Sequence, residues 1–212
     1  MESLKKFYKE CQETKTREEM THYYDSWSML YEKELNLADY RGPFMVANAL
    51  AALYPEDREN VHVLDVAAGT GFVGEQLAKQ GFVQIDALDP SEGMLAQAKE
   101  KGIYQTLICE YLDGNQLDIA AGSYDVITIS GACNNGHLTC ECLLEVVRLV
   151  KQGGFFVLCT RPCLLNRNES KQHFETWMDD IEKEGKWKMV RKDILPKYLK
   201  DEDGIIFVYQ MM

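Results

Sequence analysis

No apolar run in the 212 residues is long enough to cross a bilayer, and no charged-then-apolar leader opens the chain. A soluble, cytoplasmic protein is expected. Basic residues are in the minority: 23 Lys and Arg stand against 34 Asp and Glu, for a net charge of −11. Sequence-independent affinity for nucleic acid needs clustered Lys and Arg to displace counterions, so an RNA or DNA substrate is disfavoured. The basic cluster of Lys183, Lys186, Lys188, Arg191 and Lys192 reads as a solvated helix end and strand face. Paired cysteines are missing too. Seven cysteines, an odd number, fit reduced thiols better than a disulfide framework. Cys140 and Cys142 are the only close pair, and with no second pair at zinc-binding spacing no metal is expected. Internal repeats and low-complexity segments are also absent.

What is present is enough apolar residue, 46% of the chain, for one domain with a sizeable core. Residues 2–20, rich in Lys and Glu, read as an exposed helix, and residues 24–37 as a second. Gly42-Pro43 breaks the pattern and opens a third helix over 44–53. Beyond it, apolar strands near 61–66, 83–88, 104–108, 124–129 and 153–160 alternate with amphipathic helices near 71–80, 91–101, 138–150 and 168–184. That alternation specifies a parallel sheet with helices on both faces. Residues 187–192 and 205–211 are two further strands with no crossover helix between them, so they must pair antiparallel. The expected fold is α/β and doubly wound, a mostly parallel seven-stranded sheet finished by a C-terminal antiparallel hairpin.

The chemistry is concentrated in VHVLDVAAGTGFVG, residues 61–74, a strand running through a glycine-rich turn into a helix. Gly69, Gly71 and Gly74 satisfy GxGxxG, a pattern shared with dinucleotide-binding units that hold a pyrophosphate on backbone amides. Asp65 separates the readings. Four residues before the first glycine, at the carboxyl end of the strand, its charge would repel a pyrophosphate but suit a cofactor bearing an ammonium and a sulfonium. S-adenosylmethionine is such a cofactor.

Residues 64–71 (LDVAAGTG), 87–95 (ALDPSEGML), 124–129 (YDVITI) and 151–157 (KQGGFFV) together resemble the class I S-adenosylmethionine-dependent methyltransferases in order and spacing, over about residues 60–160. More narrowly, Tyr23 to Tyr31, Leu158 to Pro162 and Glu175 to Trp187 resemble the methyltransferase-like proteins of the Williams-Beuren region. The resemblance implies that the turn of Ala67, Gly69, Thr70 and Gly71 passes under the amino-acid part of the cofactor, with Asp65 orienting its amino group. It further implies that Asp89 accepts the ribose hydroxyls, that Pro90, Met94, Tyr111 and Leu112 wall the adenine, and that Glu110 meets the adenine amino group. Ser130 and Gly131 fall beside the cofactor, whereas Asn134, Asn135 and His137 fall on the substrate side.

Residues 1–40 are expected to form a helical lid over a methyltransferase domain of residues 41–212. Tyr24, Trp27 and Tyr31 share one face of the lid helix and offer aromatic surface to a sulfonium; the alternative is an amphipathic helix packed on the sheet edge. His137 is a candidate general base near neutral pH, or else a polar loop residue. In-line alignment can itself supply much of the acceleration, because a sulfonium is already an activated donor. Arg161, with Asn166 and Arg167, lies where an anionic or carbonyl-bearing acceptor would sit, or on a surface loop. A small-molecule methyl acceptor is the expected partner, with no membrane. A protein methyltransferase, a non-catalytic cofactor-binding partner protein and a nicotinamide oxidoreductase remain as alternatives.

Overall fold

A computed structural model describes residues 16–133, 136–165 and 173–212. In chain order the elements are α1 (Arg17–Leu37), α2 (Gly42–Leu53), β1 (His62–Val66), α3 (Phe72–Lys79), β2 (Gln84–Leu88), α4 (Glu92–Glu100), β3 (Leu107–Ile108), β4 (Tyr124–Ser130), α5 (Cys142–Leu149), β5 (Val150–Thr160), α6 (Phe174–Lys183), β6 (Trp187–Leu199) and β7 (Glu202–Met211). The seven strands form one sheet in the order β3-β2-β1-β4-β5-β7-β6. The first five are mutually parallel, β7 is antiparallel to β5, and β6 is antiparallel to β7.

The central strands are apolar at nearly every position because helices cover both faces, and the period of two divides each strand between two layers. Leu64, Ile127, Leu158 and Phe207 join α5 and α6 in one core. Their neighbours Val63, Val126, Val157 and Ile206 join α2 and α3 in the other. No helix among the described residues is long and apolar enough to cross a membrane.

Several segments differ from the sequence reading. Helix α1 runs unbroken through the boundary expected between residues 20 and 24. A capping box starts it, with Thr16 accepting from the amide of Glu19 and the Glu19 carboxylate accepting from the amide of Thr16; no Gly or Pro interrupts it before residue 42. Strand β3 shrinks to two residues because Tyr104 turns away to hydrogen-bond Asp65. The terminal hairpin is longer than expected. Strand β6 continues past Pro196 through a register shift between Leu195 and Leu199, on the outer edge of the sheet, where a missing amide proton costs no ladder bond. The helices expected at 138–150 and 168–184 begin at Cys142 and, within the described residues, at Phe174.

Candidate active site

Strand order reverses between β1 and β4, and at their carboxyl ends a crevice opens, as it does at such switch points in open α/β sheets. Helix α1 roofs it. The resulting cleft holds about 790 Å³ of empty space, part of it open to solvent. Tyr24, Tyr31, Ala67, Gly69, Asp89, Pro90, Met94, Tyr111, Leu112, Ser130, Gly131 and His137 all line it. These residues come from six separate stretches of sequence, and the fold brings them around one cleft.

The glycines of the turn divide by task. At Gly69, with φ of +56°, an added Cβ would meet nothing within 4 Å; the turn there faces open cleft, and the left-handed backbone suits only glycine at no cost. At Gly71 an added Cβ would lie 2.8 Å from the Tyr104 ring, and at Gly74 it would collide with the same ring. Those two glycines serve packing beneath the turn. Ala67 also sits at positive φ, +54°, a strained position of the kind that concentrates at ligand sites.

Asp89 forms the floor. Its two carboxylate oxygens accept from the amides of Gly69 at 2.8 Å and Ser91 at 2.9 Å. An ionised carboxylate has about four lone-pair sites, so two remain for a ligand diol. Burial pushes the Asp89 carboxyl up to about 6, against the two amide bonds that lower it, and Asp25 nearby raises it further. Asp25 belongs to α1. It accepts from the Ser91 hydroxyl at 2.6 Å and the Gly93 amide at 2.9 Å, capping the first turn of α4 from another helix. The roof is fastened further by Thr21, whose hydroxyl lies 2.7 Å from that of Tyr111, and by an ion pair between Arg17 and Asp113.

Several expected ligands are placed elsewhere. Asp65 is buried behind the glycine turn rather than on the cleft wall. It accepts from Tyr104 at 2.7 Å, from Thr128 at 3.0 Å, and from the amide of Gly74. Burial raises its carboxyl to about 7, despite those hydrogen bonds. It is not among the residues that line the cleft. Thr70 is buried and its hydroxyl makes no hydrogen bond among the described residues. Gly71 packs on Tyr104, as noted. Trp27 turns into the core between Tyr23 and Tyr31, its indole N–H donating to Glu34 at 3.3 Å. Glu110 is exposed, and Asp113, three residues on, takes the place at the cleft. Arg161 pairs with Glu202 of β7 at 3.0 Å, away from the cleft lining. Asn134, Asn135, Asn166 and Arg167 lie outside the described residues.

The sequence reading missed Arg17, Met20, Thr21, Ser91, Asp113 and Leu138, all of which line the cleft. Nothing in the sequence marks which face of α1 meets the cleft.

Buried carboxylates whose values are raised make the free protein's stability depend on pH in a definite direction. Unfolded aspartates titrate near about 3.9, so the folded chain binds more protons between that value and the folded values of about 6 and about 7. Their contribution is present at low pH and lost as pH rises through the folded values. The melting temperature of the free protein, relative to that of an Asp89→Asn variant, is thus expected to fall between about pH 4 and 6 and to level off above that. A difference that grows with pH would contradict the burial of Asp89.

A doubly wound sheet with a glycine turn facing a cleft floored by an acid that can accept ribose hydroxyls defines a nucleoside-cofactor site. Residues 63–154 match a methyltransferase domain family. The chain is 34% identical over 166 residues to methyltransferase-like protein 27 of Homo sapiens, covering 78% of this chain and 67% of that one. It is 40% identical over 92 residues to demethylmenaquinone methyltransferase of Corynebacterium glutamicum (strain R), where it spans only 38% of the relative's length. Among solved structures, magnesium protoporphyrin IX methyltransferase from Synechocystis PCC 6803 with bound SAH superposes with a TM-score of 0.66 at 15% identity, covering 92% of this chain and 99% of that one. The [4+2]-cyclase SpnF superposes with a TM-score of 0.71 at 12% identity, covering 93% and 97%; likenesses at such identities speak for the fold alone. The chain belongs to the class I S-adenosylmethionine-dependent methyltransferases, and S-adenosylmethionine is its cofactor.

Proposed function

We propose that the chain methylates a small-molecule acceptor held between α1 and the loop after β4. The observation that carries this reading is the roofed cleft. Gly69 and Asp89 supply a floor for a nucleoside at the ends of β1 and β2, and Tyr24, Ala132, His137 and Leu138 line the same cleft from the roof and the loop after β4. The residues fit the cofactor. Gly69 leaves room above the turn, Asp89 retains acceptor sites for a diol, and Tyr31 presents a phenol that burial holds well above its usual range and so keeps neutral. Bound there, the cofactor supplies a methyl group on a sulfonium, already activated for displacement. The protein's part is to hold the acceptor in line, exclude water beneath α1, and set the local field with Asp89. Residues 16–40 act as the lid, and the demethylmenaquinone methyltransferase among the similar proteins supports an acceptor of small-molecule size.

Melting curves test the cofactor site. At a ligand concentration of about 100 times Kd the expected stabilisation is about 2.7 kcal/mol, or roughly 5–11 °C for a domain of this size. S-adenosylmethionine and its demethylated product should both give it, and nicotinamide dinucleotides should not. Stabilisation by a dinucleotide and by neither sulfur nucleoside would contradict the reading.

A further inference from the structure

The Tyr24 hydroxyl lies 2.6 Å from His137 Nε2, with the two rings edge to face at 5.4 Å. Both side chains line the cleft. Tyr24 comes from the roof and His137 from the loop after β4, the strand that flanks β1 on the side away from β2 and Asp89. Tyr24 is held in place by packing, stacked on Trp27 at 6.1 Å and edge-on to Tyr31 at 6.2 Å. We infer that Tyr24 and His137 form a proton relay that deprotonates a neutral hydroxyl acceptor of the phenol or enol class while its oxygen is methylated. This rests on the methyl-transfer reading above.

The charge of the cleft argues for a neutral acceptor. Among the described residues its charged groups are Arg17, Asp113 and Asp89, and Arg17 is already committed to Asp113. Among these groups the protein offers an anionic acceptor no uncommitted cation, so an anion is drawn in by the cofactor's sulfonium alone. A neutral amine needs no base, since its lone pair attacks directly, whereas a neutral hydroxyl is a poor nucleophile until its proton leaves. An imidazole working through a phenol matches the acidity of a phenolic or enolic proton. The balance is complete. The acceptor O–H bond breaks as its proton passes to the Tyr24 oxygen, and the Tyr24 proton passes to His137 Nε2. The acceptor oxygen forms its bond to carbon as the sulfur–methyl bond breaks and sulfur keeps the electron pair. The imidazolium then returns its proton to solvent.

Two probes separate a base from a mere packing contact: 4-methylphenol, un-ionised at neutral pH, and 4-nitrophenol, largely ionised there. Wild type is expected to methylate both. His137→Gln and Tyr24→Phe should each lose on the order of 10²–10⁴-fold on 4-methylphenol and far less on 4-nitrophenol. In the free protein, Tyr24→Phe should shift the imidazole nitrogen resonances of His137, a readout independent of turnover. The groups that share the cleft and would shape a pH profile are Tyr24 on α1, the Arg17 and Asp113 pair, and Asp89. Equal losses on both phenols, no loss on either, or an unmoved His137 spectrum would overturn the relay. So would failure of wild type to methylate any phenol while S-adenosylmethionine still raises its melting temperature. Absence of that stabilisation would instead defeat the methyl-transfer reading on which the relay rests.

Discussion

Asp89→Asn should weaken S-adenosylmethionine binding by about 1.5–3 kcal/mol, roughly 10- to 150-fold in Kd, while leaving the sheet intact. The carboxylate accepts from two backbone amides, Gly69 and Ser91, and keeps two lone-pair sites for the ribose. A carboxamide has one oxygen. Its NH₂ would face either the Gly69 or the Ser91 amide, donor against donor, or else turn toward the ligand and offer no acceptor there. Because burial already disfavours the ionised acid, the substitution removes a desolvation cost in the free protein. Stability near neutral pH should therefore hold even as affinity falls. Titration calorimetry reads the affinity, and an unchanged Kd would remove Asp89 from the cofactor site.

The second large effect is expected at the seat of the roof. Asp25 accepts two hydrogen bonds from the first turn of α4, and Gly93 lets the two backbones approach so closely that an added Cβ would lie 2.9 Å from the Asp25 Cα. A backbone neighbour cannot swing aside as a flexible side chain can, so Gly93→Ala must push α1 off its seat. Asp25→Ala removes the cap, at a cost of about 1.5–3 kcal/mol to the closed position of the helix. Both variants should speed amide exchange over residues 17–31 and weaken the cofactor, leaving β1 protected. Bound cofactor should slow exchange over the same residues in the wild type. Loss of protection in β1 as well would mean that α1 belongs to the cooperative core and is not a separately opening roof.

Strands β1, β2, β4 and β5 were legible in the sequence because burial on both faces leaves short apolar runs ended by turn residues, and the glycine turn was legible because the positive φ at Gly69 and Gly71 restricts residue type. The fate of Asp65 was not legible. Its position implied contact with the cofactor, but Tyr104, read as an ordinary strand residue, turns beneath the turn and takes up its carboxylate. The roof's fastenings were hidden for a related reason. Asp25 meets Ser91 across 66 residues of sequence and Arg17 meets Asp113 across 96, and the polar face of an amphipathic helix gives no sign of which polar residues are solvated and which are engaged. The length of the last hairpin was masked by Pro196, a strand breaker everywhere except at an edge or a bulge.

The central claim, methyl transfer to a small molecule in the roofed cleft, is tested most directly by incubating the protein with S-adenosylmethionine labelled on its methyl group and a cell extract. The extract is divided by ultrafiltration into small-molecule and macromolecular fractions, and each is then analysed for labelled products by mass spectrometry. Label is expected in the small-molecule fraction, with its rate reduced sharply by Asp89→Asn at limiting cofactor. Label confined to protein or RNA, or the same small-molecule labelling with wild type and with boiled enzyme, would contradict the account.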